Sequence, residues 1–418
     1  MELTPNATLH ERLAVPRLLE ALDDSPSVLV HGPRQCGKST LARNVGEPLG
    51  YAYRTFDDPT EVAAVREDPV GWVERLPERV ILDEVQRVPE LFTTLKAAID
   101  RRRVPGRFLL TGSTNVLLLP KLADSLAGRM SIVRLHPLSQ CELERAVPWL
   151  IEALFSGAFP RRRGSRDGAS LPERIVAGGY PAALARADAR RRSGWYLDFA
   201  ETIASRDVRE IARIGALDAI TRLLGVAAGM TAQLLNLSDL AAPFELSRPT
   251  IADYVTLLER VFLIDRVPAW HTSSLRRAVK TAKLHVGDTG LACALRGIEP
   301  GALEQDRKLL GPLLETFVLQ ELRRQAGAGQ RPVAFHHYRD KDGVEVDLVL
   351  EGGVHAVAGV EVKAARSVAA ADFRGLRRLR EIAGARFTAG AVLYDGEQLL
   401  PFGDRLWAVP ISSIWANG

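Results

Sequence analysis

The feature that most constrains this chain is Gly-Pro-Arg-Gln-Cys-Gly-Lys-Ser, from Gly32 to Ser39. It follows a short apolar run, Ser27 to His31, and precedes a predicted helix, Ser39 to Val45. This spacing between a strand and a helix is typical of a phosphate-binding loop. The glycines let successive backbone N–H groups turn toward phosphate oxygens, and the helix N-terminus adds partial positive charge. The pattern therefore predicts a nucleotide site.

Two side chains of this loop are predicted to carry its chemistry. Lys38 would place a full positive charge on the β- and γ-phosphates of ATP, and the Ser39 hydroxyl would be a ligand of Mg²⁺. ATP and Mg²⁺ are therefore the expected cofactors. The predicted nucleotide-binding residues are Gly32, Pro33, Arg34, Gln35, Cys36, Gly37, Lys38, Ser39, Thr40 and Asp83.

An acidic pair follows the next apolar run of the chain. Arg79 to Leu82 is followed by Asp83 and Glu84, and Asp83 comes 45 residues after Lys38. A carboxylate at the end of a buried strand beside such a loop can hold Mg²⁺ through water, and the next carboxylate can activate the attacking water as a general base. Alone, an Asp-Glu pair is an ordinary strand end. In this position it favours Asp83 as a metal ligand and Glu84 as the base.

Two further residues are candidates for the same reaction. The run Arg107 to Leu110 leads into small polar residues, of which Ser113 or Asn115 could orient the γ-phosphate or the water. Arg129 follows a helix-ending glycine, and its guanidinium could neutralise transition-state charge, in cis or from a neighbouring subunit. An arginine that only complements the C-terminal end of a helix fits the pattern of Arg129 equally well.

The first 150 residues alternate strand and helix patterns. The apolar runs that end at Gly32, Asp83 and Thr111 are followed by a fourth, Ser131 to Leu135, and helical patterns such as Glu90 to Arg103 lie between them. Continuous apolar strands separated by helices predict a parallel sheet covered on both faces. The predicted fold class is α/β, with an N-terminal P-loop nucleoside triphosphatase domain.

Composition narrows the class of protein. The 418 residues are 46% apolar and 25% charged, as in globular proteins, and no apolar run reaches the ~18 residues of a membrane span. Three scattered cysteines without metal-ligand spacing, and an N-terminus without an apolar signal segment, predict a cytoplasmic protein. Only eight of the 55 basic residues are lysines. A lysine where a compact charge is needed, such as Lys38 or Lys363, is therefore less expected by chance.

The middle of the chain is predominantly helical. It follows a segment rich in glycine, proline, serine and arginine, Ser156 to Leu171, which we interpret as a linker or an insertion. Leu237 to Ile264 has the pattern of a helix, a turn and a second helix, whose apolar face comprises Ile251, Val255 and Leu258. This spacing is the one that a helix-turn-helix needs.

The second of these helices leaves its role open. In a DNA-binding unit, Arg248 and Thr250 at its start would face phosphates or bases. The same helix also carries Asp253 and Glu259, which phosphates would repel. Both DNA contact and packing between domains are therefore kept as interpretations.

Two alternating stretches near the end of the chain, Val344 to Leu350 and Val354 to Lys363, predict a pair of strands. If the strands pair, Asp347, Glu361 and Lys363 converge. Two carboxylates can hold Mg²⁺, and a lysine can help to activate water or stabilise charge on phosphorus.

Glu315, on a predicted helix from Leu313 to Gln325, could add a third carboxylate to this second site. The arrangement resembles the PD-(D/E)xK nuclease superfamily, which implies Glu315, Asp347 and Glu361 as metal ligands and Lys363 as a catalytic residue. The motif is short, and a charged hairpin facing water has the same pattern. Cleavage, and a nucleic-acid clamp that does not cleave, are both kept as alternatives.

A series of longer motifs resembles one family in order and combination. The motifs are HGPRQCGKST, TFDDP, ILDEVQRVPELF, LLTGSTN, SLAGR, RIVAGGYPAAL, LSRPTIADYVTLLERVFLI, VGDTGLACAL, LLETFVLQEL and EVDLVLEG. They are similar to prokaryotic AAA-type ATPases that carry a C-terminal domain of unknown function, DUF4143, and the resemblance covers about residues 10–400. It implies an ATPase core of the additional-strand type, a helical, winged-helix-like middle and a C-terminal α/β nuclease-like domain. The predicted domains are 1–155, a linker at 156–171, 172–282 and 283–418.

Three functional hypotheses follow. In the first, Mg²⁺-dependent ATP hydrolysis drives or gates a C-terminal domain associated with nucleic acid, DNA rather than RNA. In the second, ATP sets a binding switch and the nuclease-like domain is inactive. In the third, ATP gates a metal-dependent nuclease. A homo-oligomer is the usual expectation for this class of ATPase, and no membrane partner is expected.

Overall fold

The computed structural model describes residues 10–112, 128–160, 164, 168–204, 217–244, 246–272, 281–329 and 331–416. The chain divides into two compact units. One is built from residues 8–138 with 327–330, and the other from residues 139–326 and 331–418. Each unit has its own sheets and its own hydrophobic clusters.

Within its described residues, the first unit contains a five-stranded parallel sheet in the order β2-β3-β4-β1-β5. Its strands are β1 (Ser27–His31), β2 (Ala52–Thr55), β3 (Val80–Asp83), β4 (Phe108–Gly112) and β5 (Met130–Arg134). Strand β4 thus lies between the strand before the phosphate-binding loop and the strand that ends at Asp83. The predicted parallel sheet is confirmed, with the inserted strand that the family resemblance implies.

Helices cover both faces of this sheet. They are α1 (Val15–Asp24), α2 (Lys38–Gly46), α3 (Pro59–Glu67), α4 (Pro69–Glu74) and α5 (Leu91–Arg101). Strand β1 is buried along its whole length, with Val28 and Val30 in one hydrophobic cluster and Leu29 in another. A strand that buries both faces must be apolar throughout, which is why its sequence is a continuous run rather than an alternating one.

The second unit is larger and mixed. Its described helices are α6 (Gln140–Glu144), α7 (Leu150–Ser156), α8 (Leu171–Ala177), α9 (Pro181–Leu184), α10 (Ala189–Thr202), α11 (Leu217–Gly229), α12 (Leu237–Ala241), α13 (Arg248–Arg260), α14 (Thr289–Arg296), α15 (Pro300–Gln305), α16 (Arg307–Ala328) and α17 (Arg374–Ala383). Its strands are β6 (Gln233–Leu234), β7 (Ile264–Val267), β8 (Lys283–Val286), β9 (Ala334–Arg339), β10 (Glu345–Gly352), β11 (Ala356–Lys363), β12 (Phe387–Tyr394), β13 (Leu400–Pro401) and β14 (Leu406–Pro410).

Helices α11 to α13 and an antiparallel sheet in the order β6-β8-β7 form the winged-helix-like part of this unit. The second helix of the helix-turn-helix, α13, begins at a cap where the Ser247 hydroxyl accepts a hydrogen bond of 3.3 Å from the Thr250 N–H. Its predicted apolar face, Ile251, Val255 and Leu258, is buried. That face fixes the helix against the rest of the unit.

A six-stranded sheet in the order β13-β14-β12-β11-β10-β9 forms the C-terminal part. Strands β9, β10 and β11 are antiparallel neighbours, whereas β11, β12 and β14 run parallel. The long helix α16 contributes Leu313 and Phe317 to a cluster that also contains Leu348, while α17 contributes Leu376 and Leu379 to another cluster. The sheet is thus packed on both faces. The predicted C-terminal α/β domain is confirmed.

The two sheets of the second unit are joined through their backbones. Ala269, which follows β7, forms a parallel bridge with His337 of β9. The Trp270 N–H donates to the His337 carbonyl over 2.6 Å, and the His337 N–H donates to the Pro268 carbonyl over 3.0 Å. The winged-helix-like part and the C-terminal sheet therefore share hydrogen bonds.

Helix α7, which the sequence assigns to the ATPase domain, packs in the second unit. Leu150, Leu154 and Phe155 lie in the same hydrophobic cluster as residues of the C-terminal sheet. Among the helices that the structure describes, none combines the length and the apolar character needed to cross a bilayer.

Candidate functional site

The phosphate-binding loop has a tightly curled backbone. Gly37 has a φ of 99° and Gln35 a φ of 59°, both in the left-handed region. At Gly32 a Cβ atom would lie 1.9 Å from the carbonyl oxygen of Leu135, so any side chain there would have to displace the residue that follows β5. The sequence pattern requires a turn of this kind between β1 and α2.

Lys38, the first residue of α2, is buried against the loop. Its Nζ donates to the carbonyl oxygen of Pro33 over 2.8 Å.

Burial lowers the pKa of His31, the last residue of β1, to about 4, and the positive charges of Arg134 and Lys38 add to this effect. His31 is therefore neutral near pH 7, and the loop is a region of concentrated positive charge that suits an anionic ligand.

A residue that the sequence did not single out holds the loop from outside. The Arg12 guanidinium donates to the carbonyl oxygen of Cys36 over 2.9 Å and to that of His136 over 2.6 Å. It thereby ties the loop to the segment after β5. Burial raises the pKa of the Cys36 thiol, so this side chain of the loop remains uncharged and packs in the protein interior.

Asp83 lies at the end of β3 and is held by three hydroxyl groups. Ser39 Oγ donates to its Oδ1 over 2.8 Å, Tyr53 Oη donates to its Oδ2 over 2.8 Å, and the Thr111 hydroxyl also donates to Oδ1. Burial and the Asp83 carboxylate raise the pKa of Tyr53 to about 12, so Tyr53 stays a donor. Hydroxyl and carboxylate oxygens are the ligands that Mg²⁺ prefers, and Ser39 and Asp83 therefore fit the ion.

Glu84 follows directly and is half-buried. Its backbone has a φ of 59°, a left-handed conformation that costs a non-glycine residue energy and that is enriched at functional sites. Its N–H donates to Thr111 Oγ1 over 3.2 Å, and its carboxylate accepts from Gln86 Nε2. The predicted base is thus held beside the predicted metal ligand.

The remaining predictions for this site have different outcomes. Ser113 and Asn115 lie outside the described residues. Near the end of β4, the residue that contacts the site is Thr111, which lies two residues before Ser113 and donates a hydrogen bond to Asp83.

Arg129 is placed at the edge of the sheet away from the phosphate-binding loop. Its carbonyl oxygen accepts from the N–H of Ser27, the first residue of β1, whereas the phosphate-binding loop follows His31, about 16 Å away at ~3.3 Å per residue. Its guanidinium pairs with Asp100, through Nε to Oδ1 over 2.6 Å and Nη2 to Oδ2 over 3.0 Å. This placement does not favour a finger in cis, and the role in cis or in trans stays a prediction.

A second cluster of charges lies in the second unit, where the sequence predicted a metal site. Glu361 Oε1 accepts from Lys363 Nζ over 2.9 Å, and Asp347 Oδ2 accepts from the Val362 N–H over 2.8 Å. Asp347 lies in an irregularity of the β9–β10 pairing, between Val346 and Val349. Such bulges re-aim side chains, and here a strict alternation of faces along β10 does not hold.

One further lysine completes this cluster. Lys283, the first residue of β8, donates to Glu315 Oε1 over 2.6 Å and lies 3.6 Å from Asp347 Oδ1. The predicted carboxylates are therefore neutralised in part by an ammonium group that the sequence did not suggest. Within the described residues, no group of three or more histidine, cysteine, aspartate or glutamate side chains is arranged to hold a metal ion. The prediction of Glu315, Asp347 and Glu361 as a ligand set does not fit this arrangement.

The charges in this cluster perturb one another strongly. Burial raises the pKa of Glu315, and repulsion by Asp347 adds to the shift while Lys283 opposes it. Burial and Asp347 raise the pKa of Glu361 to about 8. Burial lowers the pKa of Lys283, but the Glu315 and Asp347 carboxylates more than offset this, so Lys283 remains charged.

The fold and the first site define a P-loop ATPase. Comparison with known proteins gives the subclass: the AAA domain model matches residues 24–144, and models of two domains of unknown function, DUF8612 and DUF4143, match residues 168–302 and 310–414. Uncharacterized proteins of Mycobacterium tuberculosis (Rv2008c) and Mycobacterium bovis (Mb2031c) are each 30% identical over 415 residues, which cover 98% of this chain and 86% of theirs. The chain belongs to this family of AAA-type ATPases with a C-terminal DUF4143 domain, and it is an ATP-binding hydrolase.

Solved structures show lower similarity. The Walker-type ATPase paby2304 of Pyrococcus abyssi is 17% identical, with 71% of this chain and 99% of that chain covered and a TM-score of 0.43. The RuvB Holliday junction branch migration motor of Thermotoga maritima is 17% identical, with 61% and 89% covered and a TM-score of 0.30.

Proposed function

We propose that ATP hydrolysis at the loop of Lys38 drives or gates a change in the second unit, which associates with nucleic acid. The observation that carries the catalytic half is the Asp83 carboxylate, fixed by hydroxyl donors from α2, β2 and β4. A carboxylate held in this way does not have to reorganise when nucleotide arrives, and such preorganisation is the main contribution of a protein to phosphoryl transfer.

The residues of the first unit divide the work between them. Lys38 and the loop N–H groups bind the phosphates, and Glu84 accepts the proton of the attacking water. Ser39 and Asp83 would hold Mg²⁺, whose charge offsets the negative charge of the transferring phosphoryl group. Thr111 and Tyr53 keep Asp83 in place.

The nucleic-acid half of the proposal is supported by the helix-turn-helix. Arg248 is exposed at the start of α13, where such helices meet DNA. Glu259, one of the two acidic residues that would repel phosphate, is paired with Arg266 of β7. Only Asp253 then remains as an exposed acid without such a pairing on this helix, so repulsion of phosphate by α13 is limited.

The two alternatives differ in what the second unit does. A binding switch needs only that ATP changes its affinity for nucleic acid, whereas a nuclease needs a divalent ion among Asp347, Glu361 and Glu315. The Lys283 ammonium beside two of these carboxylates favours a nuclease-like domain that binds without cleaving.

The test is steady-state phosphate release with and without duplex DNA. We expect turnover in the wild type, a change in its rate when DNA is added, and loss of turnover in Lys38→Ala and in Glu84→Gln. Lys96→Ala, a half-buried lysine on α5, is the matched control and should retain the wild-type rate. ATP binding with turnover at background would contradict the hydrolytic proposal in favour of the switch. An unchanged rate with DNA, together with unchanged DNA binding by Arg248→Glu, would remove DNA contact at α13 from the proposal.

A homo-oligomer and a cytoplasmic location belong to the same proposal. Arg129 lies at the far edge of its own sheet, which favours a catalytic role at a neighbouring subunit. All three cysteines, Cys36, Cys141 and Cys293, are buried and unpaired with one another, which suits a reducing compartment. Light scattering of the purified protein, with and without ATP, tests the assembly.

A further inference from the structure

We propose that the Lys283 ammonium is the built-in cation of the carboxylate cluster in the second unit, in the position that a divalent metal ion would otherwise take. The cluster comprises Glu315 of α16, Asp347 of β10 and Glu361 of β11, with Lys283 of β8 and Lys363 of β11. The inference concerns the second unit alone and holds whether or not the first unit hydrolyses ATP.

The distances place Lys283 between carboxylates from two different elements. Its Nζ is 2.6 Å from Glu315 Oε1 and 3.6 Å from Asp347 Oδ1. Lys363 pairs separately with Glu361, over 2.9 Å. A divalent ion ligated by Glu315 and Asp347 would have to lie within a few ångströms of a full positive charge, which strongly opposes its binding.

Burial makes these charges matter. The side chains of Lys283, Glu315 and Asp347 are only 8%, 12% and 15% exposed, so water screens their interactions weakly. Three carboxyl groups share two ammonium groups, and burial already raises the pKa of Glu315 and of Glu361. Removal of one ammonium group would take away a compensating charge, so another cation or additional protons would have to balance the buried carboxyl groups.

The position of Lys283 is fixed by its strand. Strand β8 lies in the centre of the winged-helix-like sheet, where Lys283 pairs with Leu234 of β6 and with Val267 of β7. Leu284, the next residue, is buried. Lys283 is therefore not a surface lysine that happens to reach the cluster. Its place in the winged-helix-like sheet positions Lys283 beside the carboxylates.

One side of Lys283 borders a cavity. A cavity of about 320 Å³ is lined by Lys283 together with His337, Tyr338, Arg339 and Glu345. The three carboxylates do not line this cavity, so an ion would have to enter through the space that the lysine side chain vacates.

The experiment titrates the full chain with Mn²⁺ in the absence of nucleotide, and isothermal calorimetry measures the binding. We compare the wild type, Lys283→Ala and the double variant Lys283→Ala with Asp347→Asn. The loop of the first unit is the same in all three, so its contribution cancels. We expect Lys283→Ala to gain one Mn²⁺ per chain, at least tenfold tighter than any comparable binding in the wild type, and the double variant to lose it. Lys308→Ala, an exposed lysine of α16, is the control and should behave as the wild type.

A second measurement guards against misfolding. The melting temperature of Lys283→Ala should be lower than that of the wild type and should rise on addition of Mn²⁺, whereas that of the wild type should not change. Lys283→Gln, which retains a donor for Glu315 without the charge, should give the same gain of Mn²⁺ if the alanine variant does not fold. Equal Mn²⁺ affinity in the wild type and in either folded variant would overturn the inference. So would a folded variant that gains no binding.

Discussion

The Ser39 hydroxyl, in the first turn of α2, donates a hydrogen bond of 2.8 Å to Asp83 Oδ1 at the end of β3. These two residues belong to separate sequence motifs, and the contact brings both predicted Mg²⁺ ligands together. The loop and the acidic strand end therefore form one site. The predictions that follow concern the residues that hold it.

Replacement of Glu84 by glutamine should separate binding from hydrolysis. The amide keeps the shape of the side chain but cannot accept the proton of water, so turnover should fall by about 10²- to 10⁴-fold while ATP binding is retained. Phosphate release and binding of a fluorescent ATP analogue measure the two effects. Glu47→Gln, an exposed glutamate that pairs with Arg43, should change neither.

The Tyr53 hydroxyl should affect the Mg²⁺ requirement of the enzyme. Tyr53→Phe removes one donor to Asp83, worth ~0.5–1.5 kcal/mol, so the Mg²⁺ concentration for half-maximal turnover should rise about two- to tenfold. Tyr51→Phe is a matched control, since the Tyr51 hydroxyl donates to the Gly106 carbonyl and not to Asp83. An equal effect of both variants on the Mg²⁺ requirement would contradict a specific role of Tyr53.

Arg12 should stabilise the loop in its binding conformation. Arg12→Ala removes charge-assisted bonds to the Cys36 and His136 carbonyls, each worth ~1.5–3 kcal/mol, and ATP affinity should fall by about tenfold or more. Equilibrium binding of nucleotide measures this. Arg17→Ala, on the exposed face of α1, should leave the affinity unchanged.

His31 should make the protein less stable in acid. Its pKa is about 4 when folded and 6.5 in the reference state, so the unfolded chain binds more protons between these values. The free energy of unfolding is therefore highest above pH 6.5 and decreases as the pH falls toward 4. The decrease amounts to about 2 kcal/mol at pH 5.

Urea unfolding at pH 7 and pH 5 measures this difference. His31→Asn, which cannot take up the proton, should lose less stability between the two pH values than the wild type. His355→Asn, an exposed histidine of the second unit, is the control. A wild-type pH dependence retained in His31→Asn would show that other groups are responsible.

Sequence motifs located the parts of the nucleotide site that are local in the chain. The loop, Lys38, Asp83 and Glu84 lie next to the strands that position them, so their spacing alone carries the information. Arg12 and Tyr53 reach the same site from other elements, and no local pattern marks them. Thr111 lies within the recognised LLTGSTN motif, but the sequence favoured Ser113 or Asn115, because β4 extends further than its apolar run indicates.

The charge cluster of the second unit illustrates a different limit. Alternation along β10 and β11 brought Asp347, Glu361 and Lys363 together correctly in outline, but it could not foresee the irregularity between Val346 and Val349. Lys283 comes from another sheet. One signal could have found it, since the scarcity of lysine that drew attention to Lys38 and Lys363 applies to Lys283 as well.

The backbone bridge between Ala269 and His337 has a mechanical consequence. Hydrogen bonds join the winged-helix-like part to the C-terminal sheet. A movement of one part must therefore either carry the other with it or break those bonds. A force on α13 would therefore also act on the sheet that holds Lys283 beside Glu315 and Asp347.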